Sequence, residues 1–228
     1  MNQALPPERS AWLAWLPVAA TALFYSLPSD FQSHRAIQFL PQALAYAALL
    51  IWSARNAGVI DRLGLQPARF GQGFRWGLAT GLVLGALNVA VILWLVPALG
   101  CDSTFLRDTP HARIPAAVML PWFIGAIAVF VEVNFRGFLL GRLLALMERM
   151  APALSPPLAS GMAVATTALT FSFDPFLVVT FHHLHWIALW DGLVWGALWL
   201  YLRNLYAPIV AHAVEVMVMY CVVRVVLS

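Results

Sequence analysis

Long apolar segments dominate this sequence and limit the folds that it can adopt. A transmembrane helix needs about 20 predominantly apolar residues, and we count seven such segments along the chain. We therefore predict an all-α fold, a polytopic transmembrane helical bundle of about seven spans, with residues 1–228 forming a single membrane domain. The segments lie at about residues 11–28, 37–54, 74–98, 115–147, 156–180, 185–203 and 206–227.

The composition also indicates a membrane environment. Hydrophobic residues make up 62% and charged residues 10% of the 228 residues, whereas soluble domains average about 45–50% apolar and about 25% charged. The net charge of +3 is scattered along the chain, which argues against nucleic acid as a partner and for the lipid bilayer. The distribution of arginines predicts a cytoplasmic N-terminus by the positive-inside rule, and arginine usage without lysine favours a bacterial inner membrane.

Glycines recur at four-residue spacing in two of the apolar segments. Gly77, Gly81 and Gly85 follow this spacing in the third segment, and Gly192 and Gly196 repeat it near the C-terminus. Small residues at this spacing share one helix face and let two backbones approach closely in a membrane. We interpret both faces as helix-packing surfaces.

Several charged or titratable residues lie within apolar segments, where such groups usually face a bundle interior or a water-filled cavity, and five of them are candidate site residues. Glu132 and Arg136 are four residues apart, and His212 and Glu215 are three apart, so each pair shares a helix face. If the two helices meet, a carboxylate could activate water while histidine and arginine support an oxyanion. Ion pairing and packing explain the same residues without any catalysis. The five residues are Glu132, Arg136, Asp174, His212 and Glu215.

Two further groups each have a structural and a chemical interpretation. Asp174 precedes Pro175, which indicates either the cap of a broken helix or a catalytic or metal-binding acid. His182, His183 and His185 suggest a metal site, although an interfacial cluster at a helix end explains them more simply. The sequence therefore leaves two possibilities for the cofactor: the protein uses none, or it binds a divalent metal such as zinc.

Three segments resemble a known family of intramembrane proteases. VEVNFRGFLL is similar to the first motif of the CAAX prenyl protease and bacteriocin-processing (CPBP) family, in which two glutamates precede an arginine commonly followed by glycine. GLVWGALWLYLRNLYAPIVAHAVEV resembles the last two helices of that family, and IDRLGLQPARFGQGFRWGLATGL the loop and helix before its core. The resemblance covers about residues 60–220, which we interpret as a CPBP-like protease core.

The match to the catalytic pattern of the family is partial. Val131 stands where the family has the first glutamate. If Phe171 is the phenylalanine of the second motif, Pro175 replaces its histidine. In the final motif Val216 replaces a later polar residue, with Glu215 one position earlier. The chain is thus similar to a divergent member that keeps the second glutamate, the arginine and the final histidine.

The resemblance implies an intramembrane endopeptidase that cleaves a membrane-embedded or lipidated protein substrate, near a C-terminal anchor or sorting segment. It implies Glu132 as the base that activates water, Arg136 as the residue that orients the site and His212 as the residue that completes it. Asp174 or Glu215 would replace the missing polar groups. Two alternatives remain: a catalytically inactive relative that binds membrane peptides, and a small proton-coupled transporter, because buried acids and histidines also form proton relays.

Overall fold

The computed structural model describes residues 6–150 and 154–227, and within these ranges the chain is helical with no strand. The predicted all-α fold is therefore confirmed. Short helical turns connect the main helices at Ser29–Gln32, Arg35–Gln38, Val59–Leu63, Pro67–Arg69, Thr104–Asp108 and Ala116–Val118. The main helices are α1 (Ala11–Phe24), α2 (Leu40–Ala54), α3 (Phe70–Ala90), α4 (Ile124–Met150), α5 (Pro156–Ser172), α6 (Pro175–Phe181), α7 (Ile187–Leu202) and α8 (Tyr206–Leu227).

Three helical stretches are long and apolar enough to cross a membrane: Val59–Ala98, which contains α3, and the helices α4 and α8. A fourth candidate is the pair Pro156–Ser172 and Pro175–Leu184, which bends by 55° at its break. The helices α1, α2 and α7 are apolar but have only 10–17 residues. The prediction of seven spans is therefore not supported in the described part of the chain, since these three fall short of the about 20 residues that a crossing needs.

Glycines on α3 allow it to pack directly against the backbone of α8, and these two helices form the most extensive helix pair. A Cβ atom added at Gly81 would lie 2.6 Å from the carbonyl oxygen of Ala211, and Gly77 is equally crowded. A hydrogen is the only side chain that fits there. This contact fixes the position of α8, which carries His212 and Glu215.

A second close contact joins α5 to α7. A Cβ atom added at Gly192 would lie 2.9 Å from Cβ of Ala168, and one at Gly196 would lie 3.0 Å from a methyl group of Val164. Both predicted glycine faces are thus helix-packing surfaces. The contact holds Asp191, the residue before Gly192, in the interior of the bundle, where it is 3% exposed.

The middle of α4 is the most enclosed part of the bundle. Residues 134–144 are all buried, and the segment Val133–Leu140 forms a π-helical stretch directly after Glu132. Wider helical turns of this type occur frequently at functional sites. The charged residues Glu132 and Arg136 of α4 therefore lie in the core and not on a lipid-facing surface.

Candidate active site

Glu132 and Arg136 form an ion pair at the centre of the bundle. Both side chains are fully buried, and Arg136 Nη1 donates a hydrogen bond to Glu132 Oε1 at 3.0 Å. The guanidinium lies near the rings of Phe171 and Trp195, 4.8 and 4.9 Å from their centroids. Because each charge compensates the other, both can remain ionised without contact with water.

His212, from α8, extends this pair to a cluster of three residues. Its Nδ1 donates to Glu132 Oε1 at 2.9 Å, the same oxygen that accepts the hydrogen bond from Arg136. The indole of Trp195 stacks on the imidazole with centroids 4.4 Å apart and planes at 18°. Since an ionised carboxylate only accepts hydrogen bonds, the neutral imidazole carries its proton on Nδ1 and its lone pair on Nε2.

Asp191 on α7 and Glu215 on α8 form a second polar group around Asn88 of α3. Asn88 Nδ2 donates to the two carboxylate oxygens of Asp191 at 3.1 and 3.2 Å, and to Glu215 Oε1 at 2.8 Å. The indole N–H of Trp190 donates to Asn88 Oδ1 at 2.9 Å and thereby fixes the orientation of the amide. The two carboxyl groups therefore lie next to each other, bonded to the same amide nitrogen.

The two polar groups are neighbours in the bundle. His212 and Glu215 lie one turn apart on α8, and a Cβ atom added at Gly192, next to Asp191, would lie 3.3 Å from Arg136 Nη2. The structure therefore brings residues from α3, α4, α7 and α8 together. Four of the five predicted site residues belong to this cluster: Glu132, Arg136, His212 and Glu215.

A cavity of about 940 Å³ lies against the cluster. Its walls are mainly apolar, and five polar or amphipathic side chains of the cluster region line it: Asn134, Asp191, Trp195, His212 and Glu215. Apolar walls with a few convergent polar groups are typical of ligand-binding sites, whose volumes are about 300–1,000 Å³. The cluster is therefore accessible to a bound molecule through this cavity.

The loop between α3 and α4 contributes another part of the cavity wall. His111 of this loop stacks on Phe181 with centroids 5.8 Å apart, and burial lowers the pKa of His111 below its usual value, so that it is neutral at pH 7. Tyr220 Oη and Arg224 Nη1, both on α8, donate to the carbonyl oxygen of Ile114 at 3.2 and 3.3 Å. These bonds hold the loop against α8.

Asp174 lies at the break between α5 and α6 and has a capping role. One of its carboxylate oxygens accepts hydrogen bonds from the backbone N–H of Leu177 at 3.2 Å and from Gln42 Nε2 at 2.9 Å. Of the two interpretations of Asp174, its contacts support the helix cap. The bond from Gln42 also fixes the bent pair α5–α6 against α2.

The residues present do not fit a metal site. In the described part of the chain, no group of three or more His, Cys, Asp and Glu side chains could hold a metal ion. The rings of His182 and His183 pack edge-on against Phe105. At the cluster the guanidinium of Arg136 is bonded to Glu132, and its charge opposes the approach of another cation.

Three residues of the cluster were not predicted from the sequence as site residues. Asn88 is a single amide in the otherwise apolar run 81–98, and Asp191 is an acid within the apolar helix α7. Both are visible in the sequence as isolated polar groups. Trp195 gives no such signal, because it is one of 10 tryptophans in the chain.

The arrangement is suited to proton transfer inside an apolar cavity. It combines an oriented imidazole, two carboxyl groups in contact and a fixed guanidinium. Family models, curated proteins and solved structures give no match to this chain. Function is therefore inferred from the geometry of the site and from the motif resemblance.

Proposed function

We propose that this chain is an integral membrane endopeptidase that cleaves a membrane-embedded or lipidated protein segment, as the resemblance to the CPBP family implies. The observation that carries the proposal is the hydrogen bond between His212 and Glu132 beside a large apolar cavity. Peptide hydrolysis needs a base that activates water, donors that support the developing negative charge, and a proton for the leaving amine. The cluster contains a group suited to each task.

In this proposal His212 activates water. Its Nδ1–H is held by the carboxylate of Glu132, so the Nε2 lone pair is free to take a proton from a water molecule in the cavity. The imidazolium that forms remains bonded to Glu132, which stabilises the new positive charge. Glu132 is then the orienting group, and not the base that the resemblance implies, because its side chain is fully buried, whereas His212 lines the cavity.

Arg136 holds the carboxylate of Glu132 in place and carries further donors. Its Nη1 is bonded to Glu132, whereas Nε and Nη2 have no hydrogen-bond partner among the described residues. Donors held in an apolar interior stabilise a developing oxyanion more strongly than the same donors do in water. The scheme requires no metal, since the residues around Glu132 do not form a cation site.

The walls of the cavity indicate an apolar substrate. They include aromatic and aliphatic side chains from several helices, among them Phe39, Phe130, Phe176, Phe181 and Met219. Burial of apolar surface contributes about 25 cal/mol per Å² to binding before the costs of ordering are subtracted. A hydrophobic or lipid-modified C-terminal segment would bind along these walls and present its peptide bond to the polar cluster.

The membrane arrangement is part of the proposal. Up to four crossings come from α3, α4, α8 and the bent pair α5–α6. The shorter helices α1, α2 and α7 complete seven membrane-embedded segments, which a locally thinned bilayer accommodates. We propose that the protein lies in a bacterial inner membrane with its N-terminus on the cytoplasmic side. The arginine distribution supports this orientation.

A proton-coupled transporter is the second candidate. The observation that favours it is that Asp191 and Glu215 accept hydrogen bonds from the same amide beside the cavity, since acids of this kind form the proton relays of transporters. Uptake of a solute into vesicles that depends on a proton gradient would support this candidate. Uptake that is unchanged when the gradient is collapsed would exclude it.

The proposal is tested by mass spectrometry of membrane-protein C-termini in cells that carry the wild type, His212→Gln or Asp102→Asn. Asp102 is an exposed loop residue whose carboxylate accepts hydrogen bonds from Thr104, so its variant is the control. We expect particular proteins to lose C-terminal segments with the wild type and the control, and to keep them with His212→Gln. Identical termini in all three strains, at equal expression, would contradict the protease and favour a transporter or a peptide-binding scaffold.

A further inference from the structure

We infer that Asp191 and Glu215 act as one acid, which holds a single exchangeable proton and delivers it into the cavity. We identify the acceptor of this proton as the amine that leaves during peptide hydrolysis, and this identification rests on the proposed function. The sharing of the proton does not, because it follows from contacts that are present without any substrate.

Three elements force the two carboxyl groups together. Asn88 of α3 donates through one amide nitrogen to Asp191 of α7 at 3.1 Å and to Glu215 of α8 at 2.8 Å. The exposed fractions of these residues are 0%, 3% and 1%, so water does not screen the carboxyl groups from each other. The amide cannot turn away, because its oxygen accepts the indole N–H of Trp190.

The surrounding charges favour a shared proton. Among the described residues, the charged groups that face the pair are Arg136 and Glu132 of α4, and His212 lies one turn from Glu215 on α8. Without a proton, three carboxylates would face one guanidinium in an apolar interior. Double ionisation of two neighbouring carboxyl groups is unfavourable in such surroundings, and a shared proton removes one of the negative charges.

A second observation connects the pair with a bound molecule. Glu215 Oε2 is buried and has no hydrogen-bond partner among the described residues, although Glu215 and Asp191 both line the cavity. A buried carboxyl oxygen without a partner is costly unless it has a function. This oxygen is the atom of the pair that remains available for exchange of a proton with the cavity.

The pair completes the chemistry of the proposed hydrolysis. The oxygen of water bonds to the carbonyl carbon of the substrate, and one proton of that water passes to His212 Nε2. The C–N bond then breaks, its electron pair stays on nitrogen, and the nitrogen takes the proton that Asp191 and Glu215 share. The imidazolium returns its proton to the pair, so one water molecule is consumed and the enzyme is unchanged.

Dicyclohexylcarbodiimide tests the shared proton without a substrate. This apolar reagent adds to a protonated carboxylic acid: the carboxyl proton moves to a carbodiimide nitrogen, the carboxyl oxygen bonds to the central carbon, and rearrangement gives a stable N-acylurea with no leaving group. We expect mass spectrometry of the purified wild type to find the adduct on Asp191 or Glu215. Glu132 should stay unlabelled, because its side chain is fully buried and bonded to Arg136 and His212.

Removal of either carboxyl group should strongly lower labelling of the other. In Asp191→Asn or Glu215→Gln the remaining acid has no like-charged partner and still faces Arg136, so its protonated fraction, and with it the adduct, should fall about tenfold or more at neutral pH. Asp191→Glu keeps both acids and should keep the label. Equal labelling of Glu215 in the wild type and in Asp191→Asn would overturn the inference.

Infrared spectroscopy provides a readout that needs no reagent. The carbonyl stretching band of a protonated carboxylic acid, identified by its shift in D₂O, should be present in the wild type and absent from Asp191→Asn and Glu215→Gln. The control Asp102→Asn should keep the band, and matching thermal unfolding curves should show that all variants are folded. A wild-type protein without the band would contradict the shared proton.

The two proposals fail in different ways. If the pair is labelled but no membrane-protein C-terminus depends on the chain, proteolysis is excluded and the shared proton stands. If C-termini are cut but neither carboxyl group is labelled and the infrared band is missing, the protease stands and the inference is wrong.

Discussion

The imidazole of His212 and the carboxylate of Glu132 are joined by a 2.9 Å hydrogen bond, although 80 residues separate them in the chain. Arg136, on the same helix as Glu132, donates a hydrogen bond to it at 3.0 Å. The ring of Trp195 stacks on His212 and holds its imidazole in place. The imidazole is therefore oriented before any ligand arrives, which lowers the cost of reorganisation during a reaction. The geometry of this site therefore depends on the relative positions of α4 and α8 in the bundle.

Replacement of either member of the dyad should abolish cleavage. We expect His212→Gln and Glu132→Gln to lower the rate per amount of folded protein by about 10²–10⁴-fold, the usual contribution of general acid–base catalysis. The measurement is the appearance of shortened C-termini over time. The matched control is His183→Gln, since His183 is exposed and should keep full activity; wild-type rates in both dyad variants would refute the assignment.

Loss of Arg136 should destabilise the fold as well as the site. Arg136→Met leaves Glu132 as an uncompensated charge at 0% exposure, and breaking a buried pair in this way costs about 3–5 kcal/mol. Denaturant or thermal unfolding in detergent measures the change. The double variant Glu132→Gln/Arg136→Met should recover much of the loss, because position 132 no longer carries an unpaired charge.

The matched control for that series is Arg35→Met, because Arg35 is exposed. Its free energy of unfolding should stay within about 0.5 kcal/mol of the wild type. An Arg136→Met variant as stable as this control would show that the ion pair does not support the fold.

Gly81→Ala should disturb the site through the backbone. The added Cβ would lie 2.6 Å from the carbonyl oxygen of Ala211, the residue before His212, so α8 must move away from α3. We expect lower thermal stability together with reduced cleavage.

Gly71→Ala is the control for the glycine contact, because it lies on the same helix with no atom within 4 Å of the added Cβ. That change should be neutral or stabilising by up to about 1 kcal/mol, since alanine favours the helix more than glycine does. Equal effects of the two substitutions would show that the close approach of α3 and α8 is unimportant.

Asp174→Ala should affect stability and leave cleavage intact. Loss of a helix cap costs about 0.5–2 kcal/mol, and Gln42 would also lose the acceptor that it contacts at 2.9 Å. Thermal unfolding and the C-terminal assay measure the two properties separately. Asp30→Ala, at an exposed position, is the control; a loss of cleavage as large as that of His212→Gln would place Asp174 in the reaction.

The sequence by itself determined the helical class, the apolar environment and the local pairs. Glu132 and Arg136 meet because residues four apart share a helix face, and the glycines at four-residue spacing form a contact surface for the same reason. These features depend on periodicity within one helix or on composition, so they can be read without knowledge of which helices touch.

Only the tertiary structure decided which helices touch and what their polar residues contact. Asn88 meets Asp191 and Glu215 across 103 and 127 residues of chain, and no local pattern encodes that contact. The roles of Asp174 as a cap and of α1, α2 and α7 as short helices also depend on packing and on where the helices break. The physical reason is that a buried polar side chain takes its partner from whichever helix packs against it, and that choice is made by the whole bundle.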